Sequence, residues 1–214
     1  MLAVARPSPI LFPLYATRFQ QNVKIQIKQK SISLTDEYQI FVNNKLEFYA
    51  VSESLKKSAK IDFYKNENLI LKLAKENFGI RANYLIQDLR KGNQIFEFKE
   101  INNIKLVLKC QINEDNYQLF GHNGNKYSVF KNNEQIAFWE GSEIILGEQD
   151  YYEIVANDDE DILMLSTFCI CIDNSKSNFK NELSLFSFNI GFNGRMLREF
   201  DKNWKPKELN SGSV

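Results

Sequence analysis

The sequence predicts a mainly-β protein: a closed antiparallel barrel of about twelve strands around a central, C-terminal hydrophobic helix. Three observations predict it. Short runs of alternating polarity fill the chain from Val23 to about Val155. Asn- and Gly-containing turns separate these runs and are short enough to make neighbouring strands antiparallel. A block that is apolar on every side then follows at Ile162–Ile172, broken only by Ser166 and Thr167. A helix without a polar face must be enclosed on every side, and a many-stranded sheet leaves open edges unless it closes.

Taken in chain order, residues 1–22 are expected to form a tail. The opening MLAVARPSPILFPLYA faintly imitates a secretion signal, but Pro7, Pro9 and Pro13 interrupt the apolar helix such a signal needs. Residues 23–174 make the barrel. Strands are expected near Val23–Lys28, Tyr38–Val42, Glu47–Val51, Lys60–Tyr64, Leu69–Leu73 and Tyr84–Gln87. They continue near Gln94–Phe98, Ile104–Ile112, Asn116–Phe120, Lys126–Phe130, Gln135–Trp139, Glu143–Leu146 and Tyr151–Val155. Period-two alternation is plainest at Val23–Ile27, Ile95–Phe98 and Lys105–Lys109. The turns at Asn43–Asn44, Lys91–Asn93, Asn123–Asn125 and Asn132–Asn133 use residues that tolerate positive φ.

The central helix is expected at about 158–173. Its acidic lead, Asp158–Asp161, suits the positive end of a helix dipole at about 0.3–1 kcal/mol per exposed carboxylate. Asn157 or Asp158 suits the N-cap. The competing reading is a buried strand, because Phe168–Ile172 is β-rich in character, but the long unalternating run favours helix. Residues 175–214 form a C-terminal extension, partly packed: Leu183–Phe192 is apolar and aromatic enough to lie on the barrel, and the end after Pro206 is expected to be disordered.

Composition narrows the function classes. Lys and Arg number 27 and so do Asp and Glu, so the basic excess of a nucleic-acid-binding protein is missing. Three cysteines make no disulfide framework; Cys169 and Cys171, two apart on a helix, face different directions. Buried reduced thiols and a cytoplasmic setting are the expectation. The apolar block is about half the roughly 20 residues that span a bilayer, so no transmembrane segment is expected.

This order of features resembles the tubby C-terminal-like superfamily, which includes the LURP-one-related proteins and the phospholipid scramblases. The similar stretches are Tyr38–Val42 running into Leu46–Val51, then Lys126–Phe130, Ile136–Trp139 and Asp150–Val155. The last, Asp161–Leu165 to Cys171–Asp173, resembles the family's core helix and its terminal Asp. The resemblance covers about Val23–Asn174 and departs from the pattern in the tail at Ser175–Val214 and in having few glycines between strands. It implies roughly a dozen antiparallel strands closed around an apolar helix, and phosphoinositide or membrane-surface binding as in tubby proteins.

Side-chain chemistry offers little for catalysis. His122, the only histidine, sits in Phe120-Gly-His-Asn-Gly124 and reads as a surface-turn residue. One histidine and scattered cysteines give no zinc spacing, the acidic run lacks a calcium loop's glycine and distal glutamate, and no Gly-rich phosphate loop exists. No cofactor or metal is expected. The feature with a lipid mechanism is basic loops: Lys56, Lys57 and Lys60 after the Glu47–Val51 strand, with Lys28 and Lys30, and Arg90 and Lys91, elsewhere. Near an anionic surface each contributes about 1 kcal/mol, although solvated loop lysines look the same in sequence. The resulting expectation is a non-enzymatic binding or scaffolding module with a protein partner. The alternatives are peripheral binding of anionic lipid through Lys56, Lys57 or Lys60, and an enzyme with a barrel-mouth site. Lipid scrambling fits poorly, because a helix enclosed by the barrel cannot also cross a bilayer.

Overall fold

The structure, a computed structural model, describes residues 22–32, 35–53, 60–76, 83–102, 106–141, 151–182, 198–201 and 203–207, with side chains of the helix described as far as Asn174. Twelve strands run β1 (Val23–Ile32), β2 (Thr35–Val42), β3 (Lys45–Glu53), β4 (Lys60–Lys65), β5 (Asn68–Glu76) and β6 (Asn83–Asp88). They continue as β7 (Gln94–Asn102), β8 (Val107–Ile112), β9 (Asp115–His122), β10 (Lys126–Lys131), β11 (Glu134–Gly141) and β12 (Tyr151–Ala156), followed by α1 (Ile162–Glu182). Each strand pairs antiparallel with the next, and β1 pairs with β12 from Val23↔Ala156 to Lys28↔Tyr151 to close the barrel. The expected fold class is therefore observed. Residues 1–21, the expected strand at Glu143–Leu146 and the apolar stretch at Leu183–Phe192 lie outside the described residues.

The hairpin turns follow from Asn chemistry. Asn43 and Asn44 (φ 48° and 67°), Asn132 and Asn133 (φ 50° and 73°) and Asn66 and Glu67 (φ 48° and 65°) put two successive residues in the left-handed region. That is the backbone of a type I′ turn, whose twist matches the flanking strands. Asn tolerates it and Glu67 does so under strain, because a Cβ crowds the next carbonyl there.

Strand count explains how the interior is filled. Eight strands leave an interior that side chains alone fill, whereas twelve leave room for a helix about 10–12 Å across. Val23, Ile25, Ile27, Ile40, Phe63, Leu71, Leu73, Ile86 and Phe98 point inward and share one core with Leu163, Met164, Leu165 and Phe168 of α1. The Phe98 and Phe168 rings stack at 4.5 Å between centroids. Ser166 and Thr167 sit buried in this apolar helix because each hydroxyl donates 2.8 Å to the carbonyl four residues earlier, Ile162 and Leu163.

Two expectations about the helix are corrected. It spans Ile162–Glu182 rather than about 158–173. Its cap is Asp161, whose Oδ1 accepts from the Met164 N–H at 3.2 Å, not Asn157 or Asp158. Asp158–Glu160 form the turn before the helix and not its first turn. Asn157 instead donates its N–H to the Ile136 carbonyl at 2.9 Å, extending the sheet side of the junction.

Candidate functional site

The inside of the barrel is a finished core. At the entry of α1, Arg90 in the 3-10 turn after β6 grips buried Asp88 side-on, donating from Nε at 3.0 Å and Nη2 at 2.8 Å. The same guanidinium reaches Asp161 at 2.8 Å. Burial alone would raise the Asp161 carboxyl, but Arg90 holds it below its ordinary range. Lys131 approaches Glu160 at 3.5 Å, and burial holds that carboxyl above its ordinary value. Deeper in, the Tyr38 hydroxyl donates to Asp173 at 3.2 Å, the Tyr152 hydroxyl donates to the other carboxylate oxygen, and Tyr84 donates to the Cys171 carbonyl at 2.9 Å. Burial first, and Asp173 second, push the Tyr38 phenol well above its usual range. Cys110, Cys169 and Cys171 are all free and buried, and burial pushes the Cys110 thiol up to about 12. Burial keeps the Tyr38 phenol and the Cys110 and Cys171 thiols protonated, and the ion pairs and hydrogen bonds hold the helix in register.

The outer wall over β8–β11 differs from the rest of the barrel. Val107, Phe120 and Phe130 form a second buried apolar cluster, separate from the interior one. Their neighbours Leu108, Leu119 and Val129 belong to the interior core, so strand alternation puts the cluster outside. What buries it is a C-terminal strap, Arg198–Lys207. The Arg198 guanidinium lies 3.8 Å from the Phe130 ring centroid and 5.4 Å from that of Phe120. Phe200 meets His122 edge-on at 5.2 Å and Phe138 at 5.8 Å, and Trp204 meets Phe138 at 5.7 Å. Arg198 also donates to the Asn133 carbonyl at 3.4 Å and to its side-chain oxygen, while the Lys207 N–H donates to Asn157 Oδ1 at 2.9 Å and its ammonium pairs with Glu134 at 2.5 Å.

The His122 expectation is overturned here. His122 is buried at the end of β9, with Nε2 2.7 Å from the Ser128 hydroxyl, the tautomer deciding which donates. The turn begins only at Asn123, two residues into the Gly-His-Asn-Gly letters, because β9 continues through Gly121 and His122. A Cβ at Gly121 would sit 3.0 Å from that of Leu106, so glycine there lets the wall pack closely. Burial lowers the imidazole to about 4, leaving it neutral at pH 7. Its Nδ1 is buried with no hydrogen-bond partner among the described residues.

The sequence profile of the LURP-one-related family matches residues 23–173, the barrel and the buried part of its helix. The chain belongs to the LURP-one-related family. LURP-one-related domains are part of the tubby C-terminal-like superfamily. No curated protein and no solved structure matches this chain.

Of the lysines expected on this LURP-one-related barrel to meet lipid, Lys60 is exposed at the start of β4, and Lys56 and Lys57 lie outside the described residues. Lys60 pairs across the ladder with Glu53, and exposed Lys30, at the same end of the barrel, pairs with Glu37. Arg90 and Lys91 are committed to Asp88 and Asp161 at the opposite end. Among the described residues no helix is long and apolar enough to cross a membrane, and no group of three His, Cys, Asp or Glu side chains is placed to hold a metal. Sequence reasoning missed the outer cradle and its strap. The signal was present: Ile136-Ala-Phe-Trp139 does not alternate, as a strand buried on both faces does not.

Proposed function

We propose that this chain is a non-enzymatic binding or scaffolding module. The observation that carries the reading is the occupation of the barrel by α1, with Phe168 completely buried between Phe98 and Tyr117. A barrel filled this way presents its wall and rims to partners and keeps the Cys110 and Cys171 thiols protonated in the core. Affinity purification from native extract, comparing the wild type with His122→Ala/Ser128→Ala, tests it. A protein partner retained by the wild type, with no turnover in either form, supports the reading. Turnover of ester or phosphoester substrates that disappears in the double variant would overturn it in favour of a Ser–His enzyme.

Peripheral attachment to anionic lipid headgroups is the second reading, and it places the protein at the cytoplasmic face of a membrane. It is supported by exposed Lys60 and Lys30 at one end of the barrel, with Lys56 and Lys57 only a few residues before Lys60 in the sequence. Co-sedimentation with phosphoinositide-containing vesicles is expected to exceed that with neutral vesicles and to fall with salt. Equal pelleting with both removes this reading.

A further inference from the structure

We propose that the outer cradle on β8–β11 is a docking site for a basic–aromatic segment of a partner protein, which the strap Arg198–Lys207 fills as an internal stand-in. The inference rests on the binding-module reading and gives that module a site. The cradle is a built feature: three apolar side chains, Val107, Phe120 and Phe130, are buried on the outside of a wall whose inside is already packed. Phe138 extends it, and the His122–Ser128 pair forms its polar floor.

The strap occupies this surface as a ligand does and not as a thirteenth strand would. Among the described residues it makes no backbone–backbone hydrogen bond to the wall; its one such bond is internal, from Trp204 to the Asp201 carbonyl at 3.4 Å. Four spaced anchors hold it, in the pattern Arg-x-Phe-x-x-x-Trp-x-x-Lys. Arg, Trp and other aromatic residues are the side chains that concentrate binding energy at protein interfaces, and spaced anchors are how grooves read peptides. The charges complement the anchors: the Asn133 carbonyl receives Arg198 at one anchor and Glu134 receives Lys207 at another. Arg198, Phe200 and Trp204 all stay partly exposed and lie outside the interior core, so replacing them opens the cradle and leaves that core intact.

The fit is also imperfect. His122 Nδ1 is buried beneath the strap with no partner among the described residues, and a buried polar group left that way is unfavourable. A partner segment that carries a small hydroxyl or amide beside its aromatic anchor would satisfy it and outcompete the strap. It must do so, because a tethered strap acts at an effective concentration of about millimolar.

The test uses the full-length chain. A fluorescein-labelled peptide with the sequence of residues 197–208, LREFDKNWKPKE, is titrated by anisotropy into the wild type and into Arg198→Ala/Phe200→Ala/Trp204→Ala. The strap variant is expected to bind at least tenfold more tightly, and adding Phe130→Ala is expected to reverse that gain. Because Phe130 is buried, Glu134→Gln provides a second variant on an exposed side chain; it should weaken binding several-fold and reduce its salt dependence. No binding to the strap variant, or binding unchanged between it and the wild type, overturns the proposal. A wild-type dimer in sedimentation that the strap substitutions dissociate overturns it too, assigning the cradle to a second copy. Failure of the titration while a partner from native extract is still retained removes the cradle alone and leaves the module reading standing.

Discussion

Two segments cover the same stretch of wall from opposite sides, and they do it by different physics. Inside, α1 presses Phe168 against Phe98 and Tyr117, and Arg90, Tyr38, Tyr152 and Tyr84 bond its cap Asp161, its Asp173 and its Cys171 carbonyl to the wall. Outside, the strap lays Arg198, Phe200 and Trp204 over Phe130, His122 and Phe138, remains partly exposed, and leaves one buried nitrogen without a bond. The inner contact is enclosed on every side and therefore permanent. The outer one stays partly open to solvent and is therefore replaceable. Burying apolar surface is common to both; the completeness of the enclosure is what separates a core from a binding surface.

The contrast predicts a steep gradient of mutational effects. Phe168→Ala opens a cavity at the centre of the barrel and is expected to destabilise by about 3–5 kcal/mol in denaturant unfolding. A loss below about 1 kcal/mol would mean the helix is not the core. Arg90→Ala strands the fully buried Asp88 carboxylate and loosens Asp161, so a loss of about 2–3 kcal/mol is expected by the same measurement. Trp204→Ala removes a half-exposed ring from the outer face and is expected to lower stability by only about 1 kcal/mol. Hydrogen exchange should then quicken in β10 and β11 and stay slow in α1; equal quickening of both would erase the distinction between the two faces.

Two smaller effects sharpen the same comparison. Glu67→Gly relieves a left-handed turn remote from both segments, and is expected to stabilise by about 0.5–1 kcal/mol. A melting temperature that does not rise would show that the turn is not strained. At the seam under the strap, burial takes His122 from an ordinary 6.5 to about 4. The unfolded chain therefore binds more protons than the folded one between those values, so this residue's contribution to stability falls as pH drops through that window. His122→Gln is expected to flatten that part of the stability–pH curve, leaving the fall at lower pH that comes from carboxylates such as Glu47 and Glu153, held low in the fold. In Glu47, hydrogen bonds from Lys45 and Lys65 are the main cause; in Glu153, burial pushes the carboxyl up but Lys24, Tyr151 and Gln26 together bring it down further.

The barrel was legible because its information is local. Alternation located each of the twelve described strands to within a few residues, and Asn pairs marked the turns. The helix end was not legible: from Ser175 the residues turn polar, and nothing periodic extends the pattern to Glu182. His122 was misplaced because its burial comes from Phe200, far along the chain, while its neighbours carry turn letters. The cradle stayed hidden for the same reason. An apolar run such as Ile136–Trp139 announces burial on two faces without saying which distant segment supplies the second cover.

Zipping β1 to β12 joins Val23 to Ala156, the two extremes of the wall, and α1 comes only afterwards in the polypeptide. A ribosome therefore finishes the greasy lining of this cylinder before it delivers the stopper. Until Phe168 emerges, the cylinder has an unfilled apolar lumen, the exposed surface through which partly folded proteins stick to one another. Long-range closure of this kind is slow. Assembly of the barrel is thus expected to hinge on α1.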